Sequence, residues 1–272
     1  MPHFPTPSVV PTTVALPEPV SAISAGRRHA CALTEEGTAY CWGFNVDGET
    51  GNGTSGVEAS VVTVPAKVVG GLKLSAISAG LDFTCALTVF GEPYCWGSNV
   101  DGIVGEFASE RCGDVAPVPC ESKPTRVATS FVFQEIAAGG NHACGRTAGG
   151  VVACWGSNGQ GQLGSAGPEG KGKSFAPRRV FLQNAPPFSS ISSGGIHSCA
   201  LTEAGPLYCW GSDTGAQLGS FRNLEAQDTP IRSQWKFAFI AVSAGGYHTC
   251  GLVEDGTLYC WGDNDTGALG KD

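Results

Sequence analysis

Charge is scarce in this chain of 272 residues. Only 15% of them are Asp, Glu, Lys or Arg, against about a quarter in an average domain, which excludes a solvated coiled coil. Cations are scarcer than anions, 16 against 24, and the net charge of −8 argues against the basic face that a nucleic-acid partner needs. No stretch of about 18 apolar residues occurs, so no transmembrane helix is expected. The opening MPHFPTPSVVPTTVALPEP has no basic segment followed by an apolar run, so it does not read as a signal peptide. Catalytic signatures are missing as well: no G-x-S-x-G elbow, no H-E-x-x-H and no P-loop. What the chain does have is 40 glycines, 17 prolines and 42% hydrophobic residues. Turn formers therefore reach about a fifth of the chain, short of the level of a structureless Gly/Pro polymer. A soluble, glycine-rich, all-β globule is the class that remains.

Cysteine is abundant. Cys31/Cys41, Cys85/Cys95, Cys144/Cys154, Cys199/Cys209 and Cys250/Cys260 are pairs separated by ten residues, and Cys112/Cys120 forms a sixth pair in a segment without counterpart. An even set with one shared spacing reads as disulfides and an oxidising compartment.

The pairs belong to a repeat. AISAGRRHACALTEEGTAYCWG from Ala22 recurs in related form from Ala76, Glu135, Ser190 and Ala241, and the first cysteines stand 54, 59, 55 and 51 residues apart. A period near 55 holding several short strands predicts a propeller or solenoid. Each unit divides into four strands. The first ends at Ala-Gly, the second is H-x-C-A-L-T, the third is Y-C-W-G, and the fourth is marked by P-x-x-V at Pro65–Val68, Pro124–Val127 and Pro177–Val180, more weakly at Pro230. Proline suits an outer edge strand, where its missing N–H breaks no ladder. With the second-to-third turn centred on Glu36, Cys31 and Cys41 lie five residues to either side. They face each other at cross-strand distance, which modest twist brings to bonding distance.

The predicted fold is a five-bladed β-propeller of four-stranded blades, with repeats over 20–73, 74–132, 133–187, 188–238 and 239–270. The last repeat ends without a P-x-x-V strand, while Pro11–Val14 supplies one to spare. Residues 9–19 are therefore expected to complete the last blade and close the ring, which would remove an open edge. Residues 103–123, with Cys112 and Cys120, are expected to form a stapled loop insertion.

The repeat I-S-A-G-x-x-H-x-C-A-L-T-x-x-G-x-x-Y-C-W-G resembles that of the regulator of chromosome condensation family, and the resemblance covers nearly the whole chain. It implies a β-propeller, commonly of seven blades in that family. The family's namesake is a nuclear exchange factor that binds a small GTPase and chromatin. This acidic, cysteine-rich chain looks more like secreted bacterial propellers of the same type, which bind partners through one face.

The H-x-C elements at His29, His142, His197 and His248, each with a second cysteine ten residues on from the first, have the composition of zinc ligands. Phe83 replaces the histidine in the second repeat while Cys85 and Cys95 remain. The cysteines thus do not need the imidazole, and neither a metal nor a cofactor is expected. The histidines are read as structural, bonding backbone near the axis. Trp42, Trp96, Trp155, Trp210 and Trp261 are read as packing between blades, and Trp235 as packing outside the repeat. Asn45–Gly48, Asn99–Gly102 and Asp263–Gly267 read as Asx turns, not calcium loops. Asn52 and Asn264 head glycosylation sequons. Only one acid, Asp82, falls on the turns between first and second strands, and a glycosidase needs a pair. The function expected is therefore non-enzymatic. A monomeric extracellular or periplasmic scaffold would bind a protein or surface polymer through Arg27, Arg28, Phe44, Phe107, Asn141 and Tyr247 on its loop face, because variable loops on a rigid frame carry recognition. A carbohydrate-active or carbohydrate-binding propeller is the alternative.

Overall fold

A computed structural model describes residues 10–105, 108–113, 117–165, 172–184, 186–220 and 225–271. The chain forms five antiparallel sheets in sequence order. Sheet 1 holds β1 (Val20–Ala25), β2 (His29–Thr34), β3 (Ala39–Phe44) and β4 (Val61–Lys67). Sheet 2 holds β5 (Leu74–Ala79), β6 (Phe83–Thr88), β7 (Pro93–Ser98), β8 (Glu110–Cys112) and β9 (Val118–Arg126), ordered 5-6-7-9-8. Sheet 3 holds β10 (Phe133–Ala138), β11 (His142–Thr147), β12 (Val152–Gly156) and β13 (Ser174–Arg179), and sheet 4 holds β14 (Phe188–Ser193), β15 (His197–Thr202), β16 (Leu207–Ser212) and β17 (Ala226–Arg232). Sheet 5 has three strands, β18 (Phe239–Ala244), β19 (His248–Val253) and β20 (Leu258–Gly262). No helix among the described residues is long and apolar enough to cross a membrane.

The predicted register is present in every sheet: Cys31 faces Cys41, and the four other ten-residue pairs face one another likewise. Their Cα atoms stand 4.0 or 4.1 Å apart, and all five are disulfide-bonded. The close approach belongs to non-hydrogen-bonded antiparallel positions, which bring side chains nearest. Cys112 and Cys120 form the sixth disulfide, in a segment that is more than a loop. Glu110 pairs with Cys120 and Cys112 with Val118, so β8 and β9 form a hairpin that widens sheet 2. Ser109 and Ser122 cross-brace it by hydrogen bonds to Glu121 and Glu110. The prolines of the fourth strands, Pro65, Pro124, Pro177 and Pro230, lie in β4, β9, β13 and β17 as expected.

Successive sheets pack face to face through four apolar cores. Leu33 and Cys41 of sheet 1 meet Ala86 and Trp96 of sheet 2, and Phe83 and Leu87 meet Phe133 and Trp155 of sheet 3. Cys154 and Leu163 meet Ile191 and Trp210, and Leu201 and Leu207 meet Phe239 and Trp261. Among the described residues no such core joins sheet 5 to sheet 1. Ile23, on the outward side of β1, is 81% exposed, whereas its counterparts Ile136 and Ile191 are buried. Leu258 of β20 is 63% exposed, while its counterpart Leu207 is buried.

The closing strand expected at Pro11–Val14 is not formed: residues 11–16 carry no strand, and β20 has no fourth neighbour among the described residues. The P-x-x-V pattern reports a local tendency to extend. Pairing with β20 would require the two end sheets to meet, and nothing in the local pattern dictates that.

Glycine makes the sheets fit at the turns between first and second strands. A Cβ on Gly194 would lie 2.5 Å from His197 Cε1 and 2.4 Å from the Gly245 carbonyl oxygen of the next sheet. Neither obstacle is a flexible side-chain tip. Gly194→Ala is therefore expected to cost about 2–3 kcal/mol, read as a lowered midpoint in non-reducing chemical denaturation. An unchanged midpoint would show that the sheets can part at this point without penalty.

Candidate binding face

One backbone contact builds the loop face. The residue before each His or Phe of the second strand accepts a hydrogen bond from the first residue past the Trp-Gly of the third strand. Phe44 N–H reaches Arg28 O at 2.9 Å, Ser98 reaches Asp82 at 2.8 Å, Ser157 reaches Asn141 at 2.8 Å, Ser212 reaches Ile196 at 3.0 Å and Asp263 reaches Tyr247 at 3.0 Å. The chain leaves the third strand through Gly43, at φ 107°, a conformation that favours glycine. The turns between first and second strands and the long loops after the third thus share one face, as expected.

Those loops are clasped internally. Asn45 Oδ1 accepts from Thr50 N–H at 3.0 Å, Asn99 from Val104 at 2.9 Å, Asn158 from Leu163 at 3.0 Å, Asp213 from Leu218 at 2.9 Å and Asn264 from Leu269 at 3.0 Å. The clasp spans five residues, wider than the Asx turn expected at Asn45 and Asn99, and it uses side-chain oxygens that a calcium site would need; at Asp263 the expected Asx turn does form, its Oδ1 accepting Asp265 N–H at 2.8 Å.

The first four loops are also locked to the following sheet. The carbonyl seven residues after the tryptophan accepts the next sheet's indole N–H. Trp96 reaches Glu49 O at 2.9 Å, Trp155 reaches Ile103 O at 2.8 Å, Trp210 reaches Gln162 O at 2.9 Å and Trp261 reaches Gln217 O at 3.0 Å. Three of these carbonyls also accept a hydroxyl, from Thr84 at 2.9 Å, Ser198 at 3.3 Å and Thr249 at 2.8 Å. The same hydroxyls meet His29 Nε2 at 2.8 Å, His142 at 2.7 Å and His197 at 2.9 Å. This corrects the expectation that the histidines bond backbone: they reach side chains of the next sheet. A hydroxyl that gives its one proton to a carbonyl can only accept from the ring, so Nε2 carries the hydrogen and Nδ1 is the bare nitrogen. Nδ1 of all three rings is buried without a partner. Burial accordingly lowers the pKa to about 4 for His29, about 3 for His142 with help from nearby His197, and about 4 for His197 with help from His248. These rings stay neutral at physiological pH.

The structure brings two of the expected binding residues together, Arg28 and Phe44. Arg28 Nη2 pairs with Asp82 Oδ1 at 3.1 Å, and its guanidinium carbon lies 3.6 Å above the Phe44 ring centroid. Asn141 Nδ2 donates to Asp101 Oδ2 at 2.6 Å. Arg27 is exposed, with its backbone N–H held by Gly80 O, and Tyr247 stands 54% exposed on sheet 5. Phe107 lies outside the described residues. Trp235 packs beside Trp261, with ring centroids 6.0 Å apart, as expected of a packing residue.

Sequence reasoning missed two acids that interact with Asp82. Burial, aided by Asp82, raises the pKa of Asp47. Glu49 is only 1% exposed, and burial, reinforced by Asp47 and Asp82, pushes its pKa up to about 7. Its Oε2 accepts from Asp47 N–H at 2.9 Å, and its Oε1 is buried without a partner. The signal was positional, since Glu49 stands where sheets 3 and 4 have Gln162 and Gln217. A carboxyl so enclosed does not reach a sugar substrate, so it does not complete the pair that a glycosidase requires. Elsewhere Glu110 approaches Cys112 and Cys120, whose sulfurs are joined to each other and offer no thiolate.

The RCC1-like domain family matches residues 3–272. The chain is 31% identical over 250 residues to the RCC1 domain-containing protein RUG3, mitochondrial, of Arabidopsis thaliana, covering 86% of this chain and 53% of that protein. It is 29% identical to the human regulator of chromosome condensation over 96% of this chain and 64% of the relative. Among solved structures, human WBSCR16 superposes with a TM-score of 0.80 at 19% identity, over 93% of this chain and 64% of the other, a likeness of fold. The chain spans about half the length of RUG3 and under two thirds of the other two. With this match across residues 3–272, the recurring histidine–cysteine repeat and the sheet-by-sheet packing, the chain belongs to the RCC1-like family.

Proposed function

We propose that the chain is a non-catalytic scaffold that binds a protein or surface polymer through its loop face, in an extracellular or periplasmic compartment. The observation that carries the reading is the Arg28–Phe44–Asp82 cluster. An ion pair this exposed contributes about 0–1 kcal/mol to stability, so folding has little use for it. Arginine and aromatic side chains held in fixed positions are the preferred anchors of interfaces. The loops around the cluster are pinned by the clasps and indole bonds above, so binding would order little further chain. Six disulfides and no free cysteine among the described residues suit an oxidising environment.

The test is affinity capture of the native partner from the source's secreted or periplasmic fraction, comparing faces. Arg28→Glu and Tyr247→Ala are expected to weaken capture at least tenfold. Phe90→Asp and Phe181→Asp, at exposed positions outside the loop-face clusters, should leave it unchanged. The reverse pattern, or hydrolysis of an oligosaccharide panel by the purified chain, would overturn the reading.

A further inference from the structure

The four packed interfaces share a pairing rule. The residue between the His or Phe and the Cys of each second strand faces the ring of the sheet before it. His29 meets Thr84, His142 meets Ser198 and His197 meets Thr249. The second sheet has Phe83 in place of the histidine, and the third sheet has Ala143 in place of the hydroxyl; the two share one apolar core. An imidazole N–H buried between sheets needs an acceptor, and a phenyl ring needs only a methyl to pack on. Ring and facing residue therefore change together, from imidazole with hydroxyl to phenyl with methyl.

Among the described residues, two faces of the same kind are left without a sheet. Sheet 5 turns His248, Leu258 and the Cys250–Cys260 pair outward, all partly or well exposed, whereas the corresponding His197, Leu207, Cys199 and Cys209 are buried. Sheet 1 turns outward Ile23, Ala30 and Trp42, the last half-buried where Trp96, Trp155 and Trp210 are fully enclosed. These faces are continuous with the four interfaces already formed and repeat their residue pattern. Ala268 stands seven residues past Trp261, the position whose carbonyl accepts the next indole N–H. The occupant such faces fit is another sheet of the same repeat type. The pairing rule then says which one. His248 requires a hydroxyl opposite it, and Ala30 offers a methyl.

We infer that the two outward faces are not each other's complement: the sheet 5 face is an interface for a repeat sheet carrying Ser or Thr between its His or Phe and its Cys, and the sheet 1 face for one carrying phenylalanine in place of the histidine. Histidine against alanine occurs at none of the four interfaces formed here, so copies of this chain do not join end to end.

Sedimentation equilibrium on the whole chain under non-reducing conditions at neutral pH tests this with four proteins. Ala30→Thr creates a His–Thr pair between the end faces of two copies, and His248→Phe creates a Phe–Ala pair like that of Phe83 and Ala143. Each single variant should self-associate at least tenfold more tightly than the wild type, and the double variant, which sets Phe against Thr, should return to wild-type behaviour. Both positions are only partly buried on strands, and Ala30→Ser repeats the first arm with a smaller side chain. A wild type that associates as tightly as the single variants would make a second copy the occupant and overturn the inference. So would four proteins that cannot be told apart, because the ring and its facing residue would then not decide the pairing.

Discussion

Between pH 6 and pH 5 the fold should lose about 2–3 kcal/mol of stability per unit of acidification, a slope set mainly by three buried histidines and one buried glutamate. His29, His142 and His197 are held well below the ordinary 6.5 in the folded chain. Their contribution is fully present above pH 6.5 and is lost as pH falls toward their folded values, because only the unfolded chain takes up those three protons. Glu49 acts in the opposite sense. Its folded pKa of about 7 lies above the ordinary 4.5, so the folded chain holds one proton that the unfolded chain has released. The net difference is about two protons, each worth roughly 1.4 kcal/mol per pH unit, and the raised pKa of Asp47 trims it slightly. The double substitution His142→Phe/Ser198→Ala isolates one histidine. It installs the Phe83–Ala143 pair at the next interface along the chain, in a pocket that Gly139 leaves open just as Gly80 does for Phe83. Stability at pH 7.5 should change by no more than about 1–2 kcal/mol, and the acid slope should fall by roughly half. His142→Phe alone strips Ser198 of its imidazole donor and should be the less stable of the two. Urea denaturation across the pH range decides the matter. An acid slope that survives the double substitution intact would mean that the imidazole is not the group taking up the proton.

The features legible in the sequence are those that repeat locally. A ten-residue cysteine spacing around a tight turn has one antiparallel register that sets the sulfurs opposite each other, and Cys31 faces Cys41 for that reason. The proline in each fourth strand marked an outer strand in sheets 1, 3 and 4 for an equally local reason, and in sheet 2 Pro124 lies beyond the stretch of β9 that β8 covers. Closure was not legible, because Pro11–Val14 extends or fails to pair according to where sheet 5 lies. The hairpin at Glu110–Cys112 was hidden because it interrupts the repeat and its three-residue strand carries no period of its own. The histidine partner was half visible. The repeat that lacks the histidine, at Phe83, is followed by one of the two repeats that lack the hydroxyl, at Ala143, but this becomes a pairing only when sheets are known to stack in sequence order. Arg28 and Phe44 were recognisable by type and by the turns they occupy. Asp47 and Glu49 were not, because their chemistry arises from burial beside Asp82, a residue of the next sheet.

Glu49→Gln should stabilise the protein by about 3 kcal/mol at pH 8 and by less than about 1 kcal/mol at pH 5. The reason lies in the other sheets. Gln162 Oε1 accepts Gln160 N–H at 2.9 Å and Gln217 Oε1 accepts Gly215 N–H at 2.8 Å, the same contact that Glu49 Oε2 makes with Asp47 N–H at 2.9 Å. The second oxygen of Glu49 thus occupies the place of a neutral amide NH2, buried and close to Asp47 and Asp82. Protonated, the carboxyl imitates glutamine in shape and charge. Ionised, it is a buried carboxylate with one unpartnered oxygen and acidic neighbours, and the Arg28 cation is committed to Asp82. With the folded pKa above the unfolded one, the stability that Glu49 contributes is complete below about pH 4.5 and is gone once pH has risen through 7. The substitution holds the acid form permanently, so its advantage should grow across that window, and the acid slope between pH 6 and 5 should steepen by about one proton. A gain of the same size at pH 5 and pH 8 would point to a better hydrogen bond instead of a removed charge, and no gain at pH 8 would mean that the carboxylate finds a partner in solution. Because the Glu49 carbonyl also receives the Trp96 indole and the Thr84 hydroxyl, the charge forms at the joint between sheets 1 and 2, within electrostatic reach of Asp82. The first local loosening on raising the pH through 7 should therefore appear as faster amide exchange at Asp47 and Thr50, ahead of the strands.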